Sequence, residues 1–482
     1  MKDSVRNLFD ILRYGLNVGE KLGADNIEAR YDDLQLRTLI KENQKIKETN
    51  INRRSGLGVT AYYKGVSGFS YTANLEKKAV KECVKSAFGI AKASSSIAKL
   101  KLDIEKREKS SKVHDLKLPV KKHPKDFDLG YKIDLMDRIE TAALADADWI
   151  KSSMALYGEF YGSKYFMNSD GDEISWEPLV VDLRVRLTAT ATTGDSLVRS
   201  VNGLGGSKGL ELFDKKENTP EFLGKKSLEW AKEQRDAKAA PAGKFRALCD
   251  HRLSGVLAHE SFGHCTEADA VLTNSTVLKG QLGKKIGTDI VTIYDEGTPD
   301  QQYNGFWLPF DDEGTPTTKT VLVEDGILKG YLHNRASAKF LNGDLTGNAR
   351  AIHYRFNPIP RMKNTYFKPG DLTEEEAIEQ LKEGIYAIQT SGGQVNPTQG
   401  TFLFKAVRGY WIENGEIKYP IKDVTIKGEL LALLNNVEGL TNELQISSGY
   451  FGGCGKGQQF PLPTGLGSPM ILFSEAMFGG EQ

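Results

Sequence analysis

Apolar residues at Val5, Leu8, Leu12 and Leu16 recur every three or four positions, the stripe of an amphipathic helix that ends near Gly23. Extended stretches follow at 26–31 and 38–40. The runs 58–63 and 67–71 then flank Lys64-Gly65, the pattern of a β-hairpin. A second helical stripe over 75–93 completes a helix-on-antiparallel-sheet unit. From 94 to 125 lysine and serine dominate without apolar periodicity, which reads as a linker over 101–125. The pattern predicts a helix at 134–147, alternating strands over 152–201 with Ser169-Asp170-Gly171 as a turn, and a helix at about 220–239. Residues 182–190 stand out within this part as one long alternating strand. Ala239-Ala240-Pro241-Ala242-Gly243 marks a boundary, and short strands and turns fill the rest, for example 290–294, 320–324, 327–332, 402–410 and 424–427. Asp325-Gly326 and Asn414-Gly415 lie between apolar runs and predict tight hairpins.

These elements predict an α+β protein: an amino-terminal part over 1–240, with substructure 1–100 and 126–240, and a carboxy-terminal part over 241–482. The 482 residues carry 64 basic and 64 acidic side chains, so no net field favours nucleic acid or a membrane surface. The amino terminus lacks the apolar core of a signal peptide, and no apolar run approaches a bilayer-spanning length. Four dispersed cysteines, Cys83, Cys249, Cys265 and Cys454, do not form a secreted disulfide pattern. A cytoplasmic location is the expectation.

The chemistry centres on His259-Glu260-Ser261-Phe262-Gly263-His264. In an H-E-x-x-H helix, histidines at i and i+4 share a face around one metal, with the glutamate as base. Here the spacing is i and i+5, which a regular helix of ~3.6 residues per turn separates by about 140°. A π-bulge restores both to one face, and Gly263 would tolerate the distortion. Leu253, Val256 and Leu257 give the segment an apolar side. The competing reading is a pair of helix histidines satisfied by nearby carbonyls.

A catalytic zinc takes three protein ligands and keeps an open position. Cys265, Glu267, Asp269 and Cys454 are the candidates for the third. Cys265 adjoins His264 and is poorly placed for the same ion. Glu267 lies one turn beyond His264. Cys454 stands in the glycine-rich run Tyr450-Phe451-Gly452-Gly453-Cys454-Gly455-Lys456-Gly457, where packing gives a cysteine no purpose and Lys456 favours a thiolate. Spacing alone leaves Cys454 and Glu267 as rivals.

The metal segment, followed by Glu267-Ala268-Asp269, resembles the signature of the TldD/PmbA metallopeptidases. Four further blocks agree: Asp311-Asp312-Glu313-Gly314-Thr315-Pro316; Gly347-Asn348-Ala349-Arg350 leading to Pro360-Arg361-Met362-Lys363-Asn364-Thr365; Asn396-Pro397-Thr398-Gln399-Gly400-Thr401-Phe402; and Gly409-Tyr410-Trp411-Ile412-Glu413-Asn414-Gly415. Their order and spacing match over nearly the whole chain, most closely after Gly243. The family holds active members with the metal motif and PmbA-type (TldE) members without it, and this sequence resembles the active kind.

The resemblance implies zinc held by His259, His264 and Cys454, so that Cys454 displaces Glu267 as third ligand, with Glu260 as the base acting on a zinc-bound water. It implies a mixed α/β amino-terminal module with an antiparallel sheet, and a β-rich, metal-bearing carboxy-terminal domain. It also implies a dimer, either of identical chains or with a PmbA/TldE-type paralogue. The expected activity is hydrolysis of unfolded peptides with low sequence selectivity, inside a closed chamber and by strand addition. The alternatives are a non-catalytic or partner-dependent subunit of such a complex, and a zinc amidase acting on small amides. His333, Arg350 and His353 are candidate oxyanion helpers. Asp311-Asp312-Glu313 reads as a solvated turn in preference to a second metal site, and the glycine clusters at 203–209 and 452–457 read as loops or mobile channel walls.

Overall fold

A computed structural model describes residues 3–105, 110–145, 147–192 and 196–479. Helix Asp3–Leu22 buries Phe9, Leu12 and Leu16 against Ile27, Leu57 and the helix Lys77–Ser94. The strands Asn26–Glu42, Lys45–Tyr63 and Val66–Thr72 form an antiparallel meander. The predicted turn joins the last two: Lys64 and Gly65 both have positive φ, 49° and 74°, as a two-residue hairpin whose twist matches the strands requires.

The same sheet continues through Ile150–Asn168, which pairs with Asn26–Glu42 over 15 residue pairs. Leu179–Thr190 and Leu197–Gly206 extend it. Helices Leu129–Ala143 and Pro220–Asp236 cover that second half, burying Leu135, Ile139 and Leu223 on Val181, Leu183 and Val185. The eight-stranded sheet thus carries one helix pair on each half.

Two readings change here. The lysine-rich stretch contains a strand, Lys112–Lys117, which pairs in parallel with Glu173–Glu177; Val113 and Leu116 pack beside Trp176, an apolar pair too short to show as a period. The first glycine cluster is a loop only over 207–209. Gly203, Gly205 and Gly206 lie in a strand, where Cβ atoms would come within 3 Å of Arg184, Ser448 and Asn304. These glycines permit close backbone approach.

Beyond residue 237 two sheets enclose the largest core. One has ten strands, with Gly243–Cys249 between Ile471–Phe478 and Gly384–Ile388 and with Gly392–Asn396 at one edge. The other has six, including Ile293–Glu296, Asn364–Phe367 and Gly465–Ser468. Both predicted Asp-Gly and Asn-Gly hairpins are present, with positive φ at Asp325, Gly326, Asn414 and Gly415. The whole is α+β with mixed pairing. No helix among the described residues is long and apolar enough to cross a membrane.

Buried charge joins the amino-terminal sheet to the later sheets. Arg335, fully buried, pairs with Glu28 and Asp170, and Asp312 pairs with Lys164 and Arg30. Asp311 accepts backbone N–H bonds from Glu313, Thr315 and Ala349, while Glu313 accepts from the Arg335 N–H. Asp311-Asp312-Glu313 is therefore a turn, but a buried one rather than a solvated one. The local pattern, acidic residues before Pro316, looks like a surface turn; the partners that bury it come from other segments, Lys164 lying 148 residues from Asp312 and Arg335 lying 22 residues from Glu313.

Candidate metal centre

Strand Gly243–Cys249 leads straight into helix His251–Val256, capped by Asp250 Oδ1, which accepts from the Leu253 N–H at 2.8 Å. The next turn, Leu257–Gly263, is π-helical: the His264 N–H reaches back to the His259 carbonyl, an i to i+5 bond. This is the distortion the spacing of the histidines demands. It sets the two imidazole rings 5.4 Å apart at 84°. Packing holds it, because a Cβ on Gly263 would fall 1.9 Å from Met362 Sδ, and Gly255 lies directly on the Gly467 backbone.

Cys454 comes from the other end of the chain, on a hairpin of Cys454–Lys456 and Gln459–Leu462. Gly452, Gly453 and Gly457 around it adopt positive φ. The Cys454 Sγ lies 3.1 Å from His264 Nε2, and one ligand atom from each of His259, His264 and Cys454 lies within 4.8 Å of the others. No other such group of His, Cys, Asp and Glu occurs among the described residues. Burial opposes the Cys454 thiolate, but the charges and hydrogen bonds of both histidines outweigh it and draw its pKa down to about 5.

The donor set fits a metal. Two imidazoles and a thiolate suit zinc and several related divalent ions. The buried Nδ1 of His259 has no hydrogen-bond partner among the described residues, an orphan that a hydrogen-bonding role would have filled. Glu260 is a third exposed, with carboxylate oxygens 3.5 Å from His264 Nε2 and 4.0 Å from His259 Nε2. It borders the same point without being consumed by another contact.

Glu267 stands one step back. Its Oε2 accepts from His264 Nδ1 at 2.9 Å, which leaves Nε2 free to face Cys454. Lys456, two residues past Cys454, donates to Glu267 Oε2 (2.9 Å), Asp269 Oδ1 (2.6 Å) and the Pro360 carbonyl (3.2 Å). The Arg361 guanidinium, fully buried, lies 3.7 Å from Glu267 Oε1. Burial would raise the Glu267 pKa, yet His264, Lys456 and Arg361 together hold it near 2. Lys456 thus clasps the cysteine hairpin to the histidine helix. Spacing raised Glu267 and Lys456 for other roles; their pairing across 189 residues leaves no local mark.

The remaining candidates make other contacts. Cys265 is buried, donates toward the Ser261 carbonyl at 3.3 Å and has its thiol pushed up to about 12 by burial, so it packs as an apolar residue. His333 is buried beside Ser337 Oγ at 3.2 Å, and His353 Nδ1 accepts from the Arg355 N–H. Arg350 donates to the carbonyls of Met362 and Pro463.

Family models for the PmbA/TldA metallopeptidases match residues 28–91 (domain 1), 122–235 (central domain) and 242–480 (C-terminal domain). A metalloprotease of Methanocaldococcus jannaschii is 33% identical over 444 residues, covering 92% of this chain and 95% of that one. A zinc metalloprotease TldD homologue of Saccharolobus solfataricus is 28% identical over 478 residues, 96% and 98% of the two chains. The crystal structure of TldE from Thermococcus kodakarensis shares the fold, with a TM-score of 0.76 at 16% identity over 98% of this chain and 100% of that one. The chain belongs to the PmbA/TldD family of metallopeptidases.

Proposed function

We propose that the protein is a zinc-dependent peptidase acting on unfolded peptides with low sequence selectivity. The metal is held by His259, His264 and Cys454, and Glu260 serves as base. The observation that carries this reading is the convergence of those three ligand atoms beside an uncommitted, partly exposed carboxylate. Bound there, zinc would supply Lewis-acid polarisation of the scissile carbonyl and acidify a water. Glu260 takes the proton of the attacking water on a carboxylate oxygen and delivers it to the departing amine nitrogen. Glu267 keeps the His264 proton on Nδ1, and the buried flank of Phe262, Leu257 and Ala258 keeps bulk water from the ligand side.

Substrate choice follows from the neighbouring sheet edge. Gly392–Asn396 pairs on one side with Thr401–Lys405 and with no other strand among the described residues, and it packs beside the π turn. Its side chains are mostly exposed, and the Pro397 carbonyl that follows accepts from the Val277 N–H at 3.0 Å. An extended peptide adding to this edge would gain main-chain hydrogen bonds whatever its side chains, which explains low selectivity and excludes folded proteins. Assembly as a dimer, with a second copy or a TldE-type paralogue as partner, is part of this reading. The division at residue 240 into a scaffold and a metal-bearing part, and a cytoplasmic setting, belong to the same proposal.

Metal analysis beside cleavage of casein, with and without chelator and with and without a TldE-type chain, tests the reading. Chelator-sensitive cleavage is expected. Zinc-loaded protein that cuts neither casein nor short peptides in any combination would sink it, and cleavage confined to small amides would favour the amidase alternative.

A further inference from the structure

A cavity of about 150 Å³ lies between the amino-terminal sheet and the metal-bearing part. Leu36, Phe160, Phe306 and Leu462 make its walls apolar. A hollow of ~150 Å³ with such walls is large enough to take a benzene ring. Its rim is not neutral. Arg54, Lys164, Arg350 and Asp312 also line it. Asp312 is shared by Lys164 and Arg30, and Asp32 lies 4.0 Å from Arg30 and 3.8 Å from Lys164. Two carboxylates therefore answer two cations, and Arg54 and Arg350 have no carboxylate in ion-pair contact among the described residues.

Arg350 is 2% exposed; it donates to the Met362 and Pro463 carbonyls and lies over the Phe306 ring, 4.8 Å from its centroid. Asp312 and Asp295 act on it only from beyond ion-pair contact, and a buried guanidinium with no carboxylate touching it is costly to keep, which favours an anion beside it. Trp176, on the same cavity, has its indole N–H buried without an acceptor. A surplus of two positive charges and an idle donor thus surround an apolar hollow.

We propose that this cavity receives the apolar carboxy-terminal residue of a peptide, its side chain in the hollow and its carboxylate on Arg350 and Arg54. That the carboxylate belongs to a peptide rests on the peptidase reading; that the site takes an apolar body bearing a carboxylate rests on the cavity alone. Arg350 also links the pocket to the metal centre. The Pro463 carbonyl it holds follows Leu462, the strand partner of Cys454, and Met362, whose carbonyl it also holds, packs on Gly263. A terminus docked here would place the preceding chain near the ligand-bearing hairpin.

The test is calorimetric titration of the full, zinc-loaded chain, in which the hairpin carrying Leu462 is docked, with N-acetylphenylalanine, N-acetylphenylalaninamide and N-acetylglycine. N-acetylglycine reports any binding of a bare carboxylate at the metal, and reading heat keeps the result independent of cleavage. N-acetylphenylalanine should bind, and both analogues should bind at least about tenfold more weakly, as loss of a charged hydrogen bond or of the ring requires. Leu36→Trp, which fills the hollow, and Arg54→Gln, at a half-buried position that tolerates change, should each weaken it by a similar factor. No binding of N-acetylphenylalanine, equal binding of its amide, or unchanged binding in Leu36→Trp would each overturn the proposal. A chain that cuts no peptide yet passes this titration retains the site and loses only its assignment to peptide termini.

Discussion

Replacing Lys456 with methionine should weaken zinc binding by about ten- to a hundredfold while leaving all three ligands in place. The side chain is 23% exposed and its ammonium contacts two carboxylates, one of them, Glu267, only 1% exposed. Removing one partner of a fully buried ion pair costs about 3–5 kcal/mol. Partial exposure of Lys456, and the Arg361 guanidinium still 3.7 Å from Glu267, reduce that to roughly 1.4–3 kcal/mol. The loss falls on the cysteine hairpin, whose glycines give it little rigidity of its own, so a metal must then order what the clasp had already ordered. At ~1.4 kcal/mol per decade this is the stated range in affinity, the size seen when residues behind metal ligands are removed.

Competition against a chromophoric chelator measures it, with Lys456→Met, Glu267→Gln and the double variant compared. Because the two side chains act as one contact, the double variant should lose less than the two singles together. Lys456→Arg should recover most of the affinity. Zinc affinities within about twofold of the unaltered chain in both single variants, or strict additivity, would refute the clasp.

Four other outcomes follow from the same geometry. Glu260→Gln should bind zinc normally and lose activity by about 10²-fold or more, since only the proton acceptor is removed; metal analysis and casein cleavage measure both. Cys454→Ala should lower zinc content where Cys265→Ala does not; equal loss in both would return the ligand set to question. Gly263→Ala should cost about 1–3 kcal/mol and disturb the π turn, because its methyl meets Met362 Sδ; an unchanged melting temperature would contradict this. Burial lowers the His333 pKa to about 4. The unfolded chain therefore binds a proton that the folded chain refuses between ~6.5 and ~4, so stability is full above about pH 6.5 and falls as pH drops through that window, by on the order of 3 kcal/mol. Denaturant titrations at pH 7 and 4.5 check the slope, which His333→Gln should flatten.

What the sequence displays is local, and what it conceals is the pairing of distant segments. The Lys64-Gly65, Asp325-Gly326 and Asn414-Gly415 turns were readable because positive φ selects residue type at the position itself. The i to i+5 spacing of His259 and His264 was readable as a π turn because that distortion is what returns both rings to one face. Lys112–Lys117 was hidden because only two of its residues, Val113 and Leu116, are apolar contacts. Gly203, Gly205 and Gly206 looked like a loop because the reason for each glycine, a backbone atom of another segment, lies outside the local pattern. The same holds for Asp311, Asp312 and Glu313, whose burial depends on Arg30, Lys164 and Arg335.

The metal centre itself combines both kinds of information. One arm, the π turn Leu257–Gly263 and the helix before it, is rigid: Gly263 packs on Met362 and Gly255 on Gly467, and the turn cannot relax into an ordinary helix without losing the histidine pair. The other arm is a hairpin rich in positive-φ glycine, held to the first by Lys456 and by the contact of Cys454 with His264. Metal affinity is therefore linked to docking of the hairpin, since an ion that binds all three ligands favours the docked state over any undocked one. Zinc should protect the amides of 452–457 from hydrogen exchange far more than those of 251–264, which the core already holds. Equal protection of both segments on adding zinc would mean that the hairpin is as rigid as the helix, and that the clasp has nothing to assemble.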